Sequence, residues 1–220
     1  MNVLAVAAHP DDELLGLGGT IASHSARGDR VRLAVMCEGV STRYTPDWDA
    51  EVRKQAQEAA RILGVTDLIL GNLPDQRLET LPLCEIVQKV ESLIAEWQPD
   101  LIYTHFGGDI NRDHKILTEA VLVAARPYSA PSVREILMFE TPSSTEWGSP
   151  VLAAPFQPNV YVDVSAFVEQ KIRAFSCYSA EVRECPHPRS LEALTDRARY
   201  WGSVINRRAA EAFVLVRSTR

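Results

Sequence analysis

Val3-Leu4-Ala5-Val6-Ala7-Ala8-His9-Pro10-Asp11-Asp12-Glu13-Leu14-Leu15-Gly16-Leu17-Gly18-Gly19-Thr20 is the stretch from which the fold can be read. Six successive apolar residues, Val3 to Ala8, read as a strand buried on both faces, as a central parallel strand must be. A polar turn and a glycine-rich helix start follow, with helix expected from about Gly19 to Arg27. The same rhythm continues outward. Val31 to Cys37, Asp67 to Leu70, Leu101 to His105, Arg134 to Glu140 and Val160 to Val164 read as strands. Helical spacing covers Asp49 to Leu63, closed by Gly64, then Leu81 to Trp97, Ile116 to Ala125, Ser165 to Tyr178 and Ser190 to Arg208. Ala212 to Arg217 reads as a short tail. Alternating strands and helices predict an α/β chain with a doubly wound, mostly parallel sheet flanked by helices. No repeat or linker divides residues 1–220, so a single domain is expected.

Composition narrows the function classes. The 220 residues are 46% hydrophobic and 24% charged. That balance excludes collagen-like, disordered and disulfide-scaffold chains. With 23 Lys and Arg against 29 Asp and Glu the net charge is −6. Such a surplus of acid is poorly suited to gripping phosphates, so no nucleic-acid partner is expected. Cys37, Cys84, Cys177 and Cys185 are scattered and form no C-x-x-C pair, as in a reducing compartment. No apolar run approaches the roughly 20 residues of a transmembrane helix. The first residues lack a basic signal-peptide start, so a cytoplasmic location is expected.

Two constellations carry chemistry, and both fall where strands end, the edge at which open α/β sheets bind ligands. The first is His9-Pro10-Asp11-Asp12-Glu13. Imidazole and carboxylate are ordinary zinc ligands, and His9 and Asp12 are spaced to share one metal while Asp11 faces its water. The competing reading is a plain helix cap, for which Asp at a strand-to-helix turn is sufficient. The second runs from Thr104 to His114 and contains His105, Asp109, Asn111, Asp113 and His114. In a doubly wound sheet it adjoins the first, and His114 then completes a His/Asp/His set with open positions, the pattern of catalytic metals. The competing reading makes His114 a surface helix residue.

These residues, AHPDDE followed by LGLGGTIA and later D-x-N-x-D-H, resemble the LmbE/PIG-L deacetylases, which act in N-acetylglucosaminyl-phosphatidylinositol, mycothiol and bacillithiol pathways. The resemblance is strongest over 2–26 and 103–127. It implies a Rossmann-like fold, one zinc ion, and hydrolysis of an N-acetyl group on an amino-sugar substrate. It further implies His9, Asp12 and His114 as metal ligands, Asp11 as general base and Asp113 as a support for the last ligand. Arg53 corresponds to the family's substrate-contacting arginine. Homo-oligomers are common among such proteins, so the resemblance allows a homo-oligomer here.

One position departs from the family pattern. Many members carry histidine three residues before the last ligand; here it is Asn111, which can donate to an oxyanion but cannot titrate. The acid role then falls to protonated Asp11, to His105 or to His187, the last held between two prolines in Cys185-Pro186-His187-Pro188-Arg189. A Ser190 helix cap is the plain alternative for that segment. Arg43, His105 and Asp109 are further candidates for substrate contact. Two other functions compete. A nucleotide-binding Rossmann module is suggested by Gly16-Leu17-Gly18-Gly19, but G-x-G-x-x-G would need glycine at Ile21, and the carboxylates of the turn repel pyrophosphate. A structural zinc site would need four closed ligands, usually including cysteine; no cysteine lies near either cluster in sequence, although Cys37 ends the second strand and is placed to approach.

Overall fold

The computed structural model describes residues 1–38 and 48–220, with the side chains of Trp48 and Asp49 left aside. In chain order the elements are β1 (Asn2–Ala7), α1 (Asp12–Ala26), β2 (Arg30–Cys37), α2 (Trp48–Leu63), β3 (Asp67–Leu73), α3 (Leu83–Trp97), β4 (Leu101–His105), α4 (Arg112–Ala124), β5 (Glu135–Phe139), β6 (Val160–Asp163), α5 (Val168–Phe175), α6 (Leu191–Val204) and β7 (Ala210–Ser218). Among the described residues seven strands form one sheet in the order β3-β2-β1-β4-β5-β7-β6. The first five are parallel, and β7 runs antiparallel to both β5 and β6. The expected doubly wound, mostly parallel sheet is therefore the observed one.

β1 is the hub because its side chains are apolar on both faces. Val3, Ala5 and Ala7 pack under α1, α2, α5 and α6, while Leu4, Val6 and Ala8 pack under α3 and α4. The chain leaves β1 for β2 on one side and returns as β4 on the other, so the switch point of the sheet lies at the carboxyl ends of β1 and β4.

Two expectations need correction. The helix after β1 begins at Asp12, not near Gly19. The glycines belong inside it: a Cβ at Gly16 would run into the Glu140 carbonyl and the Phe139 ring, and one at Gly19 would lie 2.9 Å from Val164 Cβ. They allow α1 to lie close against its neighbours instead of cradling a dinucleotide. The second correction concerns the short tail, which is β7, a nine-residue strand inserted between β5 and β6. Its alternating apolar residues pair with strands distant in sequence.

α1 is not continuous. At Leu17 the backbone leaves helical geometry, with φ −142° and ψ 18°. The break frees N–H groups in the following turn. Gly19 N–H and Thr20 N–H donate to the two Glu211 carboxylate oxygens at 3.0 and 2.7 Å. Lys171 Nζ donates to Glu211 Oε1 at 2.6 Å and to the Leu15 carbonyl at 3.0 Å. This buried ion pair bridges both halves of the helix whose first turn enters the site.

Candidate active site

His9 stands just beyond β1 and is followed by a tight turn that starts α1. Asp11 holds φ at +113°. That conformation is costly for a residue with a Cβ, and such residues collect at functional sites. Although Asp11 occupies the cap position, its side chain makes no capping bond. The neighbouring carboxylates close the turn instead: His9 N–H donates to Asp12 Oδ2 at 2.8 Å, and Asp11 N–H donates to Glu13 Oε2 at 3.0 Å. Asp11 is thereby left facing the cleft. The second constellation begins at the end of β4, and Asn111 opens α4 by accepting the Asp113 N–H at 2.9 Å. That cap starts the helix a full turn before the expected Ile116 and turns Asp113 and His114 inward.

The two constellations meet. Asp12 Oδ2 lies 3.1 Å from His9 Nδ1 and 3.1 Å from His114 Nε2, and the two nitrogens are 3.3 Å apart. Ligands about 2.0–2.1 Å from a tetrahedral metal sit about 3.3 Å from one another, so three lone-pair donors at this spacing fit a metal site. The surrounding side chains fix which nitrogens face inward. His9 Nε2 lies 3.1 Å from Asp113 Oδ2 and 3.2 Å from Asp75 Oδ1, and His114 Nδ1 lies 3.2 Å from Asp109 Oδ2. Such carboxylate–histidine contacts orient metal ligands.

Asp109 is in turn held by the Ser144 and Thr145 hydroxyls and by Asn111 N–H at 2.7 Å. It was an expected substrate contact, as was His105; both are fully buried and neither lines the cleft. His105 Nε2 accepts the Ala8 N–H at 2.9 Å, so its proton sits on Nδ1 facing Thr141 Oγ1, and its ring stacks on His114 at 3.9 Å. Burial and the neighbouring His114 push the His105 pKa well below its usual value. It is a floor beneath His114 and has no proton to give to a ligand. Val52 and Gln55 line the cleft, and the Arg53 guanidinium between them in sequence donates to the carbonyls of Leu70 and Gly71 in β3. Arg43 lies outside the described residues.

The cluster forms the base of an open cleft of about 640 Å³. Asn111, Gln76, Trp147 and His187 line its walls. His187 Nδ1 accepts the Arg189 N–H at 3.1 Å, and its ring meets Trp147 edge-on at 6.1 Å. Accepting at Nδ1 leaves the ring proton on Nε2. Desolvation and the charges of Arg189 and Arg183 lower its pKa, so at neutral pH it is an uncharged N–H donor.

Charge is concentrated here. Burial raises Asp11 well above the usual carboxylate range, against the pull of Arg189. Burial likewise opposes ionisation of Asp12, but His114 and His9 outweigh it and hold Asp12 well below that range. Sequence reasoning missed Arg189, whose Nη1 stands 2.8 Å from Asp11 Oδ2, and the buried pair in which Tyr178 OH donates to Glu13 Oε1 at 2.8 Å. No spacing rule links positions that far apart.

Comparison with known proteins agrees with this architecture. The family model described as PIG-L, GlcNAc-PI de-N-acetylase, matches residues 4–125. The chain belongs to the PIG-L family of deacetylases. The uncharacterized deacetylase YaiS of Escherichia coli (strain K12) is 30% identical over 168 residues, covering 74% of this chain and 82% of that protein. A probable N-acetyl-α-D-glucosaminyl L-malate deacetylase 2 of Bacillus anthracis is 24% identical over 191 residues, 82% of this chain and 81% of the relative. The crystal structure of the conserved protein TT1542 from Thermus thermophilus superposes with a TM-score of 0.80 at 27% identity, covering 99% of this chain and 96% of the other. Among the described residues no helix is long and apolar enough to cross a membrane.

Proposed function

We propose that this PIG-L family member is a zinc-dependent hydrolase that removes the N-acetyl group from an N-acetylglucosamine-type sugar or conjugate. The observation that carries the reading is the triangle of His9 Nδ1, Asp12 Oδ2 and His114 Nε2, with edges of 3.1 to 3.3 Å, beside Asp11 at the base of an open cleft. A dication held by these three ligands supplies Lewis acidity, acidifying water and polarising a carbonyl. The B. anthracis relative and the family description both concern N-acetylglucosamine conjugates, which supports the sugar class. Free thiols at all four cysteines fit a cytoplasmic enzyme.

In this mechanism Asp11 accepts a proton from the attacking water at its carboxylate. Burial raises its pKa above the usual carboxylate range, which favours giving the proton up again, and the same proton passes to the departing amine nitrogen as the C–N bond breaks. Acetate and the free amino sugar are the products. Asn111 Nδ2 and His187 Nε2–H are uncharged donors on the cleft wall that can meet an amide oxygen. Asp109 and Asp113 hold the imidazoles of His114 and His9 in the tautomers that turn lone pairs toward the metal.

Acetate release is the direct test. Incubation with N-acetylglucosamine, diacetylchitobiose and N-acetylglucosaminyl conjugates, with Zn²⁺ and after chelation, is expected to yield metal-dependent acetate. Stoichiometric zinc with no acetate from any of them would falsify the hydrolase and leave a structural site. The titration behaviour offers a second check. Burial disfavours charge on His9, yet hydrogen bonds to Asp113 and Asp12 prevail and its pKa rises to about 10 in the metal-free protein. At pH 7 His9 therefore carries two protons, and it must lose the one on Nδ1 to ligate. Zn²⁺ uptake is expected to release at least one proton, with affinity rising from pH 6 to pH 8. Calorimetry in buffers of different ionisation enthalpy counts that proton, and a count of zero removes His9 from the ligand set.

A further inference from the structure

Arg189 lies far beyond the end of the family-matched segment 4–125, in the turn that leads into α6. Its guanidinium is held on three sides. Nη1 donates to Asp11 Oδ2 at 2.8 Å and to Glu181 Oε2 at 2.8 Å, and Nε donates to Ser143 Oγ at 2.7 Å. The backbone beneath it is equally fixed: Pro188 precedes it, its own N–H is bonded to His187 Nδ1, and Ser190 caps α6 by accepting the Ala193 N–H at 3.1 Å. Asp11 meets this clamp from the opposite direction, on a backbone already confined to positive φ.

We infer that Arg189 is a positioning residue for the reaction, pinning Asp11 Oδ2 so that the carboxylate's other oxygen faces the attacking water. The inference rests on Asp11 being the base. It assigns a part of the machinery to the C-terminal third of the chain, contributed through one guanidinium. Arginine suits the task because its rigid planar fork reaches Asp11, Glu181 and Ser143 at once, whereas a lysine ammonium on a flexible stem engages them less completely. The plain alternative is an ion pair that only fastens the 181–190 turn to the body. A fastening ion pair changes stability or substrate affinity; a positioning residue changes turnover and does so only through Asp11.

A double-mutant cycle separates the two, using Arg189→Ala, Asp11→Asn and their combination in the full-length zinc-loaded protein. Arg189→Ala is expected to lower kcat about 100-fold with KM within about threefold, as a misplaced catalytic group does. Adding Arg189→Ala to Asp11→Asn should cost little more, since the clamp has nothing left to position. Arg189→Lys, or free guanidinium added to Arg189→Ala, should recover part of the loss. Unchanged kcat, a loss confined to KM, or fully multiplicative losses would overturn the inference. Should Arg189→Ala not fold, Arg189→Lys and Arg189→Gln complete the same cycle. If the wild-type protein releases no acetate, the deacetylase reading fails and the positioning role that rests on it is overturned with it, an outcome distinct from an active wild type whose kcat is unchanged by Arg189→Ala.

Discussion

Asp11→Asn is expected to lower kcat for acetate release by about 10²–10⁴-fold, the range supplied by a positioned general base. The substitution is chosen to be quiet in every other respect. Asparagine has the shape of aspartate and tolerates the positive φ of this position, where alanine would add backbone strain to the lost carboxylate. Its amide oxygen still accepts from Arg189 Nη1, and Arg189 keeps Glu181 as a charged partner. The ligands His9, Asp12 and His114 are untouched, so zinc stoichiometry by elemental analysis should remain that of the wild type. KM should change by less than about threefold, because the loss falls on the transition state and not on uniform binding. Retained zinc together with a kcat within about threefold of wild type would remove Asp11 from the mechanism and leave the proton to another group.

The second large effect lies in the core. Lys171 and Glu211 are each only 4% exposed at the side chain, and they join α5, β7 and the broken α1. Glu211→Gln leaves the Lys171 ammonium buried with the Leu15 carbonyl but without its counter-charge. Removing one partner of a buried pair costs about 3–5 kcal/mol. For a chain of this size that corresponds to a fall in Tm of about 6–20 °C. Lys171→Met added to Glu211→Gln should restore part of it, because no uncompensated charge remains and the glutamine oxygen still accepts from α1. Differential scanning calorimetry decides. A single-variant shift below about 2 °C, less than 1 kcal/mol would produce, or a double variant worse than the single, would show that the pair does not hold α1. Because α1 begins with Asp12, the destabilised single variant should also bind zinc more weakly.

Much of this was legible in the chain. The apolar run of β1 and its alternation with amphipathic segments are local patterns, and local patterns survive in a linear sequence. The spacing of His9 and Asp12 on one turn is equally local, as is the short walk from Asp109 to His114. Their joining needed only the general rule that loops after β1 and β4 adjoin in a doubly wound sheet. The failures have one physical cause, contacts between residues far apart in the chain. Gly16 to Gly19 read as the start of the helix, and not its interior, because their true reason, close approach to Glu140 and Val164, comes from elsewhere. Ala212 to Arg217 read as a tail because a strand inserted antiparallel between β5 and β6 declares itself only through its partners.

The site divides along the same line. Residue types and spacing within each cluster determined the family, the sheet and the metal-ligating set proposed for it. Tertiary structure decided the rest: that His105 and Asp109 support His114 from beneath instead of meeting a ligand, that Arg53 turns toward β3, and that Asp11 is met by Arg189 from the far end of the chain. A side chain's role depends on what burial leaves exposed and what charge lies within a few ångströms. Those quantities are set by the packing of the whole sheet and its helices, and the neighbours of a residue along the chain do not contain them.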